Sequence, residues 1–272
     1  MIALGKSISV HYDAQDEENI AWRLGIGCGG AAHILLHPCH RQNNYLQLEQ
    51  VYSQLKGQQA VRFTLDLHHA RAEFTPCLRD FTLRQSGQIN NAALTCLINP
   101  LPHLLILGSG VDMLPLCHLA LNLGWRVSLA DARLSAAKRG YFPPTINALA
   151  QSLDQLSDEF IAQVDAVVIA HHSLHQDARA LAALQQRYLP NPYVGLLGPA
   201  ARKARVLEQA SLTEAQLRYP VAGPMGLALG GELPESIALA VLAECHGRLF
   251  ASSALPLSHF AAPTPVTKGV LS

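Results

Sequence analysis

The chain reads as an α/β protein: a C-terminal Rossmann-like doubly wound parallel sheet preceded by a smaller N-terminal α+β domain. Three observations predict this. Four apolar runs, 104–107, 127–130, 166–170 and 193–197, are continuous rather than alternating, the pattern of strands buried on both faces of a parallel sheet. Helical segments lie between them. The first run leads into Gly108-Ser-Gly110, a glycine turn where a Rossmann strand passes into its helix.

The elements follow in order. Residues 1–98 form the smaller domain, beginning with a polar acidic loop (Asp13 to Asn19) that leads to Trp22 and a glycine cluster. Ala32 to Leu36 reads as a strand. Over 44–56, Leu46, Val51 and Leu55 stand among Gln and Glu as on an amphipathic helix, and Val61 to Leu67 alternates with the period of a half-buried strand. Phe81 to Arg84 and Ala92 to Ile98 are further strands. Asn99-Pro-Leu-Pro102 is a stiff, extended joint and marks the boundary. The Rossmann-like domain spans 103–250, with helices expected near 114–123, 154–163, 176–188 and 200–210. A last helix runs from Pro234, placed where its missing N–H costs nothing, to about Glu244. Residues 251–272, with three prolines and few charges, read as a tail.

Composition narrows the function classes. Among 272 residues, 49% are hydrophobic and 15% charged, which describes a folded globular chain. Twenty Lys and Arg against 20 Asp and Glu leave a formal charge of +0, so the overall positive field that nonspecific nucleic-acid binding needs is missing. The six cysteines form no CxxC pair and the N-terminus lacks a charged-then-apolar leader, so a cytoplasmic protein with reduced thiols is expected. The greasiest stretch, 101–125, is interrupted by His103, Asp112, Pro115, His118 and Asn122. No membrane span is expected there.

Three groups carry candidate chemistry. In the glycine turn, Gly108 permits the sharp bend, Gly110 lets backbone approach a phosphate, and Asp131, ending the next strand, is placed to accept from ribose hydroxyls. Against a nucleotide stand Met113 in place of a third glycine, the early Pro115, and the negative charge of Asp112. In the second group, Gly25, Gly27, Gly29 and Gly30 surround Cys28. Successive N–H groups in such a nest lower a thiol's pKa, so Cys28 is the first candidate for a reactive or metal-ligating residue. Cys96 and Cys117, set among aliphatic residues, read as core. His33, His37, Cys39 and His40 leave a metal cluster with Cys28 open, though their spacing is not that of paired zinc ligands. In the third group, His171 and His172 follow a sheet strand at its carboxyl end, where open α/β sheets bind ligands. Arg202 and Lys203 lie on a helix starting at the same edge and are candidates to neutralise a phosphate; a solvated helix face is the alternative.

With these residues in view, the sequence resembles the XdhC/CoxI family of accessory proteins for xanthine dehydrogenase-type molybdenum enzymes. The resemblance runs over about residues 10 to 250. It is carried by Trp22-Arg-Leu-Gly-Ile-Gly-Cys-Gly-Gly30 with Ile34-Leu-Leu-His-Pro38, by Gly108-Ser-Gly110, Asp131-Ala-Arg133 and the strand ending in His171, and by Tyr193 to Gly198, Pro224-Met-Gly-Leu227 and Gly231 to Ala238. The resemblance implies a cofactor-binding chaperone rather than a turnover enzyme: one that binds molybdenum cofactor (molybdopterin), shields it during sulfuration and passes it to the apo-enzyme. Its partners would be a xanthine dehydrogenase-type molybdoenzyme and a sulfurtransferase. Carried over, Cys28 within Gly27, Gly29 and Gly30 would contact the cofactor and its metal, and His171 with Gly108 and Gly110 would line the Rossmann cleft.

The chain departs from the family pattern at Val111, His172, Pro199-Ala200-Ala201 and Ala228, all ligand-side rather than core positions. It also starts later than family members, which carry a further N-terminal glycine-cysteine motif; a homodimer is one way to complete the site. An NAD(P)-dependent oxidoreductase using Gly108, Gly110 and Asp131, and a partner-binding scaffold without ligand, are the alternatives.

Overall fold

The computed structural model describes residues 7–13, 31–82, 88–89 and 92–260. The chain divides into two compact units, Met1–Pro100 and Leu101–Ser272.

In the first unit, β1 (Ile8–Asp13) pairs antiparallel with β2 (Ala31–Leu36). A separate antiparallel sheet has the order β4-β3-β6-β5, built from β3 (Ala60–Asp66), β4 (Arg71–Cys77), β5 (Gln88–Ile89) and β6 (Ala93–Ile98). The alternation expected for β3 is present: Val61 and Phe63 are buried while Arg62 between them is exposed. Helix α1 (Leu48–Lys56) contributes Val51 to the same small core. It starts later than its periodicity predicts, because Asn44 to Gln47 adopt left-handed φ values of 50 to 61°. That turn carries Leu46 into the core, at a cost of roughly 1–2 kcal/mol per residue for L side chains in this conformation.

The second unit is a doubly wound sheet of six parallel strands. They are β7 (His103–Leu107), β8 (Arg126–Ala130), β9 (Asn147–Leu149), β10 (Ala166–Ile169), β11 (Tyr193–Leu196) and β12 (Val221–Ala222). Their order is β12-β11-β10-β7-β8-β9, and every pairing is parallel. All residues of β7, β10 and β11 are buried, as their continuous apolar character requires.

On one sheet face, α2 (Leu114–Asn122) and α7 (Pro234–Leu249) pack Leu116, Cys117, Val241 and Cys245 against Leu104, Ile106 and Val168. On the other, α5 (Leu174–Gln186) and α6 (Ala200–Gln209) pack Leu181, Leu184 and Val206 against Leu105, Val167 and Ile169. Two short helices, α3 (Ala136–Arg139) and α4 (Asp158–Ile161), lie between β8 and β10. The single helix expected over 154–163 is instead a 3-10 turn at Leu153–Gln155 followed by α4. Ser152 and Gln155 close the turn with a capping box and Ser157 caps α4, so two starts replace one. Pro115 sits in the first turn of α2 and costs the helix no hydrogen bond. A last short helix, α8 (Leu257–Phe260), follows α7. No described helix is long and apolar enough to cross a membrane.

Candidate functional site

The order of the six strands reverses between β7 and β10, and the crevice beyond their carboxyl ends is where an open α/β sheet holds its ligand. Gly108 closes β7 with φ +132°, and a Cβ there would overlap the carbonyl of Ala170 at the end of β10. Only glycine lets the two strand ends approach this closely. Gly110 does a different job. Its φ of −66° suits any residue, but a Cβ there would run into Asp112 Oδ1 and lie 3.1 Å from His172 Nε2. The space in front of Gly110 is thus filled by an Asp–His pair.

Asp131, at the end of β8, is 1% exposed and fully engaged. Its Oδ2 accepts from the Ser109 N–H (3.0 Å) and hydroxyl (2.8 Å) and from Arg133 Nη2 (3.1 Å), and its Oδ1 accepts from the Arg133 N–H (2.8 Å) and Nε (3.1 Å). Burial raises the pKa of this carboxyl, but the bonds from Arg133 and Ser109 outweigh it and bring the pKa down to about 2. The oxygens expected to receive ribose hydroxyls are occupied from within the fold.

The two adjacent histidines separate. His172 takes a left-handed φ of 58° and its exposed ring meets Asp112 through Nε2 at 2.9 and 3.1 Å, linking the β10 edge to the start of α2. His171 turns to the other face and is 9% exposed. Its N–H donates to Asp177 Oδ1 (3.0 Å), its Nδ1 lies 3.1 Å from the same oxygen, and its carbonyl accepts from Arg133 Nη2 (3.0 Å). Asp177, on the first turn of α5, is 0% exposed, and its Oδ2 accepts from Arg202 Nη2 at 2.5 Å. Burial works to raise the Asp177 pKa, and the bonds from His171 and Arg202 more than reverse it. Lys203, the neighbour of Arg202 on α6, pairs with Glu214 at 2.5 Å.

Arg133, which holds the His171 carbonyl, Arg202, which holds Asp177, and Lys203, the neighbour of Arg202 on α6, therefore each face a carboxylate. This edge fits a neutral, hydrogen-bonding ligand group through His171. It does not fit a phosphate through those three cations. On the α2/α7 face, Met113, Leu116, Val168, Leu197, Ile237 and Val241 line a small apolar cleft with Asp112 at its margin.

Gly27, Cys28, Gly29 and Gly30 lie outside the described residues. The histidines nearby have local roles: Ser7 Oγ is 2.6 Å from His37 Nδ1, and His40 Nδ1 accepts the Gln42 N–H. Among the described residues no group of three His, Cys, Asp or Glu side chains is placed to hold a metal ion. Cys117 is core, as its neighbours predict, and burial pushes its thiol up to about 12. Cys96 is only half-buried.

The sequence reading places Gly108, Gly110, Asp131, His171 and Arg202 at this edge, and the structure sets them there. It passes over Asp177, which joins His171 to Arg202. An Asp in the first turn of a helix reads as an ordinary response to the helix dipole, and only its complete burial marks it out.

Comparison with known proteins agrees with this architecture. A protein of Bacillus subtilis (strain 168) named as a probable xanthine dehydrogenase subunit is 28% identical over 267 residues, covering 89% of this chain and 77% of the relative. A solved structure described as a xanthine dehydrogenase from Bacillus halodurans superposes with a TM-score of 0.69 at 24% identity, covering 94% of this chain and 80% of that one, and shares the fold. The model of the XdhC Rossmann domain matches residues 104–245, more than half of the chain, which therefore belongs to the XdhC family.

Proposed function

We propose that this chain is an accessory protein of a xanthine dehydrogenase-type molybdoenzyme, binding molybdenum cofactor and assisting its sulfuration and insertion. Membership of the XdhC family supports the reading, as does the name of the Bacillus subtilis relative. The structural observation that carries it is His171 at the point where the strand order reverses. Its ring is held by Asp177, while Nε2 makes no hydrogen bond among the described residues and remains for a ligand.

When bound, the cofactor supplies the molybdenum centre and its exchangeable sulfur. The chain's own residues divide the work. Within the Rossmann unit, His171 would hold a neutral part of the pterin and Gly108 shapes the crevice; Cys28, whose sequence neighbours are Gly27, Gly29 and Gly30, is proposed by itself as a metal-ligating thiol. Asp131 keeps the edge in shape through Ser109 and Arg133. Arg202 acts on His171 through Asp177.

An NAD(P)-dependent oxidoreductase is the competing reading. The closure of Asp131 by Ser109 and Arg133 counts against it, because ribose hydroxyls would have to displace bonds already made. Titration with NADH followed by fluorescence is expected to show no submicromolar binding; tight binding lost in Asp131→Ala would favour the oxidoreductase.

The test of the proposed reading is molybdenum and pterin content after purification from cells producing a molybdoenzyme. Wild type is expected to carry both and Cys28→Ser to lose the molybdenum. Protein free of both under those conditions would overturn the reading.

A further inference from the structure

Three of the four polar groups of His171 are spoken for. Its N–H and Nδ1 face Asp177 Oδ1, and its carbonyl is held by Arg133. The fourth, Nε2, has no hydrogen-bond partner among the described residues. An ionised carboxylate offers only lone pairs, so a 3.1 Å approach of Nδ1 to Oδ1 requires the proton of the neutral imidazole to sit on Nδ1. In a neutral ring, Nε2 is then the nitrogen with the lone pair, which repels an oxyanion and welcomes a donor.

Arg202 fixes the other end of the carboxylate. Its Nη2 holds Oδ2 at 2.5 Å, which keeps Oδ1 turned to His171. The chain makes room for that reach. Gly198, with φ +128°, lies under the Arg202 stem, and a Cβ there would come within 2.5 Å of Arg202 Cδ.

We propose that Asp177 and Arg202 are positioning residues that lock His171 in its Nδ1–H tautomer, so that Nε2 accepts a hydrogen bond from a ring N–H of a neutral heterocycle. The ligand half rests on the cofactor reading given above; the tautomer half does not. Arg202, read from sequence as a phosphate neutraliser, acts here on the imidazole instead. The positioning pair selects ligands by donor character, favouring lactam and amidine N–H groups over phosphate.

The experiment is histidine nitrogen NMR on the full chain with 15N-labelled histidine, with His171→Gln assigning the signal. Wild-type His171 is expected as the Nδ1–H tautomer. Free pterin should shift its Nε2 resonance and inorganic phosphate should leave it in place. Asp177→Ala is expected to release the tautomer and weaken pterin binding by roughly tenfold, the usual scale for loss of a carboxylate behind a working imidazole. Asp177→Asn keeps an amide oxygen for His171 but offers Arg202 an NH2 that cannot accept, so it should loosen the tautomer less than Asp177→Ala does and no more than loss of Arg202 does. Arg202→Met, which leaves Asp177 in place, should give a mixture of tautomers.

An Nε2–H tautomer in wild type, or the wild-type tautomer persisting in a folded Asp177→Ala variant, would overturn the positioning role. A locked tautomer that responds to phosphate or fails to respond to pterin would overturn the ring N–H assignment, while molybdenum and pterin content judges the cofactor reading separately.

Discussion

Arg133 donates from Nη2 to the main-chain carbonyl of His171 at 3.0 Å, so a side chain from beyond β8 holds the end of β10 across the end of β7. The same guanidinium holds Asp131, which in turn holds Ser109 just past β7. Three strand ends at the candidate site are thus tied through one ion pair.

Removing that tie should loosen the edge. Arg133→Met leaves Asp131 buried with only Ser109 and the main-chain N–H of residue 133 as donors. Because Arg133 is 45% exposed, the full 3–5 kcal/mol for breaking a buried pair is too large, and about 2 kcal/mol is expected in urea unfolding. An unchanged midpoint would mean that water replaces the guanidinium at no cost.

Acid should expose the same carboxylate. Its pKa is depressed from 3.8 to about 2, so its stabilisation is fully present above the unfolded value and lost as pH falls from about 4 through 2. Asp131→Asn is expected to flatten the decline of stability across that window, by on the order of 1–2 kcal/mol. Superimposable pH profiles would contradict the assignment.

The two glycines of the turn should behave differently. Gly108→Ala combines a positive φ with a backbone overlap at Ala170 and is expected to cost at least about 3 kcal/mol or to abolish soluble expression. Gly110→Ala meets the Asp112 side chain and the His172 ring, which can move aside, and should cost under about 1 kcal/mol. Equal losses from thermal unfolding would refute this division.

Glu244 on α7 provides a further test. Its Oε2 accepts from the Tyr193 hydroxyl (2.7 Å) and from the Gly226 N–H (2.5 Å), anchoring the loop after β12. Burial and Glu244 together raise the Tyr193 pKa, so the phenol stays a donor. Glu244→Ala leaves two donors without their acceptor and should cost about 2–3 kcal/mol, with faster proteolysis near residues 223–227. Tyr193→Phe should cost less, since Gly226 keeps its partner.

How far these relationships are legible in sequence depends on range. Continuous apolar runs mark β7, β8, β10 and β11 because burial on both faces shows in every residue of these strands but Arg126, the half-buried first residue of β8. The edge strands β9 and β12, three and two residues long, are too short to show any period. In β4, Ala72 and Phe74 alternate with Arg71 and Glu73, a readable signal interrupted by Pro76. His171 and His172 look alike in sequence, and only a left-handed φ at His172 sends their rings to different partners. The Asp177–Arg202 pair lies 25 residues apart on two helices, which no local pattern reveals.

Delivery of cofactor to a molybdoenzyme, the role proposed for this chain, can be measured on the client itself. The most direct measurement is the molybdenum and sulfur content of the partner xanthine dehydrogenase-type enzyme isolated from cells with and without this chain. An enzyme depleted in molybdenum or its terminal sulfur is expected when the chain is missing, restored by wild type and not by Cys28→Ser. A fully loaded and sulfurated enzyme from cells lacking the chain would contradict it.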